Sequence, residues 1–446
     1  MKVWPYEKNG LLWEKVLCVQ IGLMLYELAA QSSFFLMEAS LVLLFVCFVW
    51  EERKALLSPL QTAGEALSLL RPLGGCWMTV VLYLGWEVLS FSRSVYPFGI
   101  WEKYRVVLLM LGISALTVWY LRKDSEVRLH RLMMVFAAAG TAAAVLSVLN
   151  AFVPVLYPLV YGRRLSLRLD YNLFSQVVLF GLIAGEYLCA RQPQKMRFRL
   201  GLWLVCAPVV VLSSSRRNTI FLLCFFVWRA SVMLFSAQKG KRARLLGKLC
   251  GGVVTVVLLV VGMQQLLDWQ DAHRQQLPEG SAVAGQTSAL ERYAVTDSGG
   301  SKRWILWSLA LREYQQYPVR EELVGKGFGY DVFLYQITDD RALLEAYEPQ
   351  SRSGLSAHCF VLTDLLNVGA IGAALGVAVW LFVAAALWKL WRSGSEQTMF
   401  FCITLGITLA NNLISNRYGF LYDKYFWLLL CMLGAALPAK KKRVQI

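Results

Sequence analysis

Residues 364–388 read DLLNVGAIGAALGVAVWLFVAAALW, and Asp364 is the only charged side chain in the run. A helix rises 1.5 Å per residue, so about 20 apolar residues cross the ~30 Å hydrocarbon core of a bilayer. This stretch is long enough to span and too apolar to present a wet face. Working outward, comparable runs lie near 11–31, 33–50, 73–91, 104–121, 132–157, 171–190, 200–214, 217–236, 249–267, 398–415 and 420–437. Together they predict an all-α polytopic membrane protein of about 12 transmembrane helices. Small-residue stretches such as AAAGTAAA and GAIGAALG suit close helix packing in lipid. Hydrophobic residues make up 57% and charged residues 17% of the chain. Soluble domains run nearer 45–50% and 25%, so the balance argues against an ordinary soluble enzyme or a disordered chain.

The net charge of +16 comes from 45 Lys and Arg against 29 Asp and Glu. Those cations cluster between the apolar runs, as in Arg122, Lys123, Arg128 and Arg131, or Lys239, Lys241, Arg242 and Arg244. Cytoplasmic loops collect Lys and Arg, so the charge calls for no nucleic acid. With about 12 spans, the basic connections all fall on one side when both termini are cytoplasmic. The N-terminal MKVWPYEKNG lacks the pattern of a removable signal peptide. Ten Cys, mostly within apolar runs and without a CxxC pair, read as packing residues; with only three scattered His, no metal site is expected.

One connection differs from the rest. Residues 268–357 form a long polar segment, predicted to be a partly helical extracytoplasmic loop domain between an N-terminal bundle (1–267) and C-terminal helices with a basic cytoplasmic tail (358–446). Within it, RWILWSLALREYQQYP predicts an amphipathic helix with Trp304, Trp307, Leu311 and Tyr314 on one stripe, ended by Pro318. GKGFGYDVF follows as a glycine-rich turn.

On the outer side, arginines run against the positive-inside bias. Arg163, Arg164, Arg168, Arg216, Arg217 and Arg417 lie outside the long loop, and Arg303 and Arg352 within it. Arg216 and Arg217 occupy a short polar break, PVVVLSSSRRNTIFLL. Charges at membrane depth need partners or water. Two readings are open: snorkelling or pairing with a carboxylate such as Glu87 or Glu186, or an anion site in which guanidinium forks grip phosphate oxygens. Asp170 and Asn172 read equally as helix caps or as substrate contacts. Arg303 begins the loop helix, where a solvated arginine and an anion ligand are both consistent. His358, beside an outer-side membrane entry, is either an interfacial residue or a proton acceptor.

Taken in order, RRLSLRLDYNLFS, SSSRRNTI, SKRWILWSLALREYQQYPVREELVGKGFGYDVF and AHCFVLTDLLNVGAIG resemble the motifs of the O-antigen ligase and O-antigen polymerase superfamily. Those proteins are integral-membrane glycosyltransferases of bacterial surface polysaccharides. The resemblance covers roughly residues 160–375; Lys302 stands where the family usually has Gly, and Cys359 where it often has Asn. It implies a chain in the bacterial cytoplasmic membrane that transfers glycan from an undecaprenyl-pyrophosphate carrier to a glycan or glycolipid acceptor, without metal or other cofactor. In that scheme Arg216, Arg217 and Arg303, with Arg164 nearby, hold the pyrophosphate. His358 activates the acceptor hydroxyl, and Arg168, Asp170, Asn172 and Arg352 are secondary contacts.

A lipid-linked oligosaccharide flippase or other polytopic transporter is the alternative. It would share the span number and the interior cations. It has no need of a long outer loop carrying Arg, a glycine-rich turn and His, and it would more often show internal two-fold similarity, which the sequence lacks.

Overall fold

The computed structural model describes residues 11–30, 34–56, 64, 70–152, 164–168, 170–190, 196–272, 299–347, 355–414 and 419–437. Among them there are helices and turns but no strand. Seven helical stretches are long and apolar enough to cross a membrane: Arg71–Arg93, Pro97–Leu121, Ser125–Phe152, Tyr171–Cys189, Arg216–Ser236, Arg242–Trp269 and Phe360–Arg392. Thr398–Ile414 and Lys424–Ala436 are apolar but shorter. The chain is an all-α membrane protein. Its exposed side chains include Val42, Phe45, Ile220, Leu223, Val254 and Leu258, groups that lipid solvates and water does not.

Helix contacts divide the chain into two compact units. The first comprises residues 1–58 and 130–296. It contains α1 (Leu12–Ala30), α2 (Phe34–Leu56), most of α5 (Ser125–Phe152), α6 (Tyr171–Ala190), α7 (Met196–Leu212), α8 (Arg216–Ser236) and α9 (Arg242–Ala272). Helix α6 forms its centre: 83% of its spanning window is buried, against 6% for the peripheral α9. Where α5 meets α6, a Cβ on Gly140 would lie 2.6 Å from the Gly181 Cα, and the reverse is equally true. The two backbones touch through glycines, as the AAAGTAAA stretch predicts.

The second unit comprises residues 59–129 and 297–446. In it lie α3 (Gly74–Leu89), α4 (Pro97–Leu121), the long-loop helices α10 (Gly299–Gln315), α11 (Val319–Val324), α12 (Tyr330–Ile337) and α13 (Arg341–Ala346), then α14 (Phe360–Arg392), α15 (Thr398–Ile414) and α16 (Lys424–Ala436). Helix α14 is its axis, packed by α3, α11, α15 and α10. It is not one helix: Gly369, at φ 70° and ψ −172°, breaks it after about two and a half turns.

The described part of the long loop folds on a core shared with the start of α14. Leu306, Leu309 and Ala310 of α10 pack with Tyr317, Tyr335, Leu343, Leu355 and Leu366, and the Tyr335 hydroxyl donates to the Leu306 carbonyl at 2.8 Å. This corrects the predicted stripe. Trp304 (66% exposed) and Leu311 (41%) face outward, because the core is built one position further round the helix. Pro318 stops α10 as expected, and serves as the N-cap of α11.

Candidate functional site

In the first unit, the structure brings two of the singled-out sequence motifs together. The Leu165 amide donates to the Leu212 carbonyl at 3.0 Å, joining the segment before α6 to the end of α7. Three serines then turn the chain into α8. Ser213, Ser214 and Ser215 are all buried, and Ser214 takes a positive φ of 68°. Ser215 caps α8 by accepting from the Asn218 amide, and its hydroxyl donates to Asn172 Oδ1 at 2.8 Å. Asn218 Nδ2 donates to the Asn172 carbonyl at 2.8 Å and to Ser175 Oγ at 2.6 Å. A buried Ser–Asn net thus fixes the first turn of α8, whose amides and dipole favour an anion. Arg216 and Arg217 are its first two residues; Arg216 is exposed and Arg217 half-buried.

The flanking residues have distinct jobs. Asp170 Oδ1 accepts from the Asn172 and Leu173 amides at 3.1 and 3.4 Å, so Asp170 caps α6. Asn172 is a cross-brace between α6 and α8. The Arg168 guanidinium donates to the Leu28 carbonyl at 3.0 Å and the Glu27 carbonyl at 3.4 Å, closing the C-terminus of α1. Arg164 lies half-buried over the Tyr171 ring, 5.3 Å from its centroid. The carboxylates considered as partners for Arg216 and Arg217 are engaged elsewhere. Glu87 pairs with Lys103 and accepts from the Tyr104 hydroxyl at 2.6 Å, and Glu186 pairs with Arg199 and Arg229.

In the second unit, His358 sits half-buried on the short link into α14, at a positive φ of 51°. Two contacts set that backbone. The His358 amide donates to Ser356 Oγ at 3.3 Å, and the preceding Ala357 carbonyl accepts from Trp307 Nε1 at 2.9 Å. Arg303 is one helical turn before Trp307 on α10, so the two share a face. Tyr347 closes the same corner: burial raises its phenol pKa, and the Arg303 charge opposes that rise. Arg303, Trp307, Tyr347 and the Ala357–His358 link therefore form one cationic, aromatic corner. Arg352, like Arg163 and Arg417, lies outside the described residues.

Behind this corner the glycine-rich turn docks on the break in α14. The Lys326 and Gly327 amides donate to the Leu366 and Asn367 carbonyls at 3.0 and 2.9 Å. Those carbonyls would otherwise be orphaned by the break. A Cβ on Gly325 would meet the Asn367 backbone at 2.4 Å, and one on Gly369 would meet Leu323 at 2.4 Å. From the other side Arg93 donates to the Gly325 and Val324 carbonyls at 2.7 and 2.9 Å. Asn367 and the buried Asp331 exchange two hydrogen bonds of 2.9 Å, which lock α12 to the first half of α14.

Residues outside the expected set complete this region. Glu87, Lys103, Asp331, Thr363 and Asn367 line a small cavity, and Tyr83 donates to the buried Asp364 at 2.9 Å. Ionisable residues inside apolar runs were the available sequence signal for Glu87 and Asp364. Among the described residues, no three His, Cys, Asp or Glu side chains are grouped to hold a metal. No protein-family model matches this chain, and no curated protein matches it either.

Proposed function

We propose that the chain is an integral-membrane glycosyltransferase. It moves glycan from an undecaprenyl-pyrophosphate carrier to an acceptor sugar hydroxyl on the outer face of the bacterial cytoplasmic membrane. The observation that carries the reading is the His358 link: a histidine held at positive φ, whose preceding carbonyl is bonded by Trp307, one helical turn after Arg303 on α10. The motif resemblance supports the same chemistry. His358 takes the proton of the acceptor hydroxyl as that oxygen bonds to the anomeric carbon. The bond from that carbon to the pyrophosphate oxygen breaks, and its electron pair leaves with the pyrophosphate. Arg303 stabilises the charge that develops there; Arg216, Arg217 and Arg164, in the first unit, are assigned to phosphate binding on the motif resemblance. General-base help is worth a factor of about 10²–10⁴. Arg168 and Asp170 are assigned structural work instead, because their side chains are committed to α1 and α6.

About 12 spans with both termini cytoplasmic, and the 268–357 loop outside, complete the reading. In a cysteine-free background, Glu345→Cys reacts with an impermeant thiol reagent in whole cells, and Lys241→Cys reacts only after permeabilisation. The reverse pattern inverts the topology. For the chemistry, His358→Ala abolishes transfer by the purified protein from a lipid-pyrophosphate donor without loss of expression. Arg303→Lys keeps the charge, loses the fork, and is still impaired. Full activity in His358→Ala removes its assigned role.

A further inference from the structure

The first unit contains a second cationic centre, at the opposite end of α8 from Arg216. Glu186, fully buried near the end of α6, holds two guanidiniums. Arg199, in the first turn of α7, donates Nε to Oε2 at 2.6 Å and a terminal nitrogen to Oε1. Arg229 of α8 donates Nε to Oε1 at 2.6 Å. Trp203 Nε1 adds a bond to Oε2 at 3.1 Å. Both carboxylate oxygens are thus fully used, and the trio carries one positive charge more than it neutralises. The terminal amino groups of Arg229 make no hydrogen bond among the described residues, and its side chain is 16% exposed. That leaves a planar pair of donors at the surface, shaped for two oxygens of a phosphate.

The surroundings indicate where that phosphate comes from. Phe198 (61%) and Leu200 are exposed on either side of Arg199 in sequence, as is Trp228 next to Arg229. An apolar surface beside a cation suits a molecule with both a phosphate and acyl chains. Thirteen residues separate Arg216 from Arg229, or about 20 Å along one helix, so this centre is remote from the Ser–Asn turn. We propose that Arg229 and Arg199 bind the phosphate of an anionic phospholipid headgroup, in the leaflet opposite the one that Arg216 faces.

The test uses the full chain in phosphatidylcholine nanodiscs, with and without phosphatidylglycerol. Lipid retention is read by native mass spectrometry and the thermal midpoint in parallel. Wild type retains phosphatidylglycerol and gains stability from it. Arg229→Gln weakens retention about tenfold and loses the gain. Folding survives this change, because a neutral Arg199–Glu186 pair remains. Arg229→Lys, a point charge without the fork, falls between, and it carries the comparison if the glutamine variant is not monodisperse. Equal retention by wild type and both variants overturns the proposal. So does a stability gain reproduced by inorganic phosphate alone, which marks a free-anion site.

Discussion

The Trp307 indole donates its Nε1–H to the Ala357 carbonyl at 2.9 Å, so helix α10 sets the backbone that presents His358. The same helix carries Arg303 one turn earlier. His358 and the arginine of this corner are therefore both tied to one helix.

Trp307→Phe tests this coupling. The ring is kept and one hydrogen bond is lost, so stability falls by only about 1 kcal/mol. Misplacing a catalytic group costs far more, and transfer falls about ten- to hundredfold. Turnover and thermal midpoint measured on the same preparation separate the two. Unchanged turnover shows that His358 is not positioned through α10.

The glycine turn on the broken helix is the least forgiving place in the second unit. Gly369 has φ 70°, and its Cβ would lie 2.4 Å from the Leu323 carbonyl group. Gly369→Ala adds backbone strain and a backbone clash, and costs about 3 kcal/mol or more. Gly394 also has a positive φ, of 68°, but nothing lies within 4 Å of its Cβ position. Gly394→Ala costs about 1 kcal/mol from strain alone. Thermal unfolding in detergent ranks the two, and equal losses contradict the docking role.

The loop domain is acid-sensitive. Burial raises the Glu313 pKa, but hydrogen bonds from Lys326 and Tyr330 outweigh it and the net shift is downward. Asp340 is also lowered, mainly by the Leu343 amide it caps. Carboxyls lowered in the folded state stabilise it fully above their ordinary values near pH 4. That contribution is lost as pH falls through the ordinary range toward their folded values. Burial lowers the Lys326 pKa, but its hydrogen bonds to Glu313 and Tyr330 outweigh it and the net shift is upward, so its contribution is complete below its ordinary value of 10.5 and is lost only as pH rises past it. Thermal midpoints at pH 3 and pH 7 show the acid loss, and Glu313→Gln reduces it. An identical loss in that variant assigns the effect to other groups.

In the first unit, Gly140→Leu has no space at the α5–α6 crossing. Even a methyl group there lies 2.6 Å from the Gly181 Cα. Alanine costs about 1–3 kcal/mol by forcing the helices apart, and leucine prevents a monodisperse preparation. Gly251 on α9, with open space around it, accepts leucine without loss by the same size-exclusion assay.

The all-α membrane character was legible in the sequence because apolar length alone announces it, although seven described helical stretches, not twelve, are long and apolar enough to span. The corner around His358 was legible only in part. Histidine and arginine stand out beside apolar runs, but nothing local shows that Trp307 reaches a carbonyl 50 residues away. The break at Gly369 is masked by its setting, since GAIGAALG reads as ordinary small-residue packing. Its meaning comes from Gly325, more than 40 positions earlier in the chain. Arg168 was read as a ligand because its side of the membrane was unusual; its partners, the last carbonyls of α1, are 140 residues distant. The predicted stripe held only in part for a nearer reason: Trp307 and Tyr314 pack against the core of α10, but Leu306, Leu309 and Ala310 build it, and Trp304 and Leu311 turn outward.

The most direct test of the central proposal is the lipid-linked glycan profile of cells in which His358→Ala replaces the native chain. The account predicts undecaprenyl-pyrophosphate-linked glycan accumulating on the outer leaflet, as single repeat units if the chain is a polymerase or as long chains if it is a ligase. Glycan trapped on the inner leaflet, or a profile identical to wild type, contradicts it.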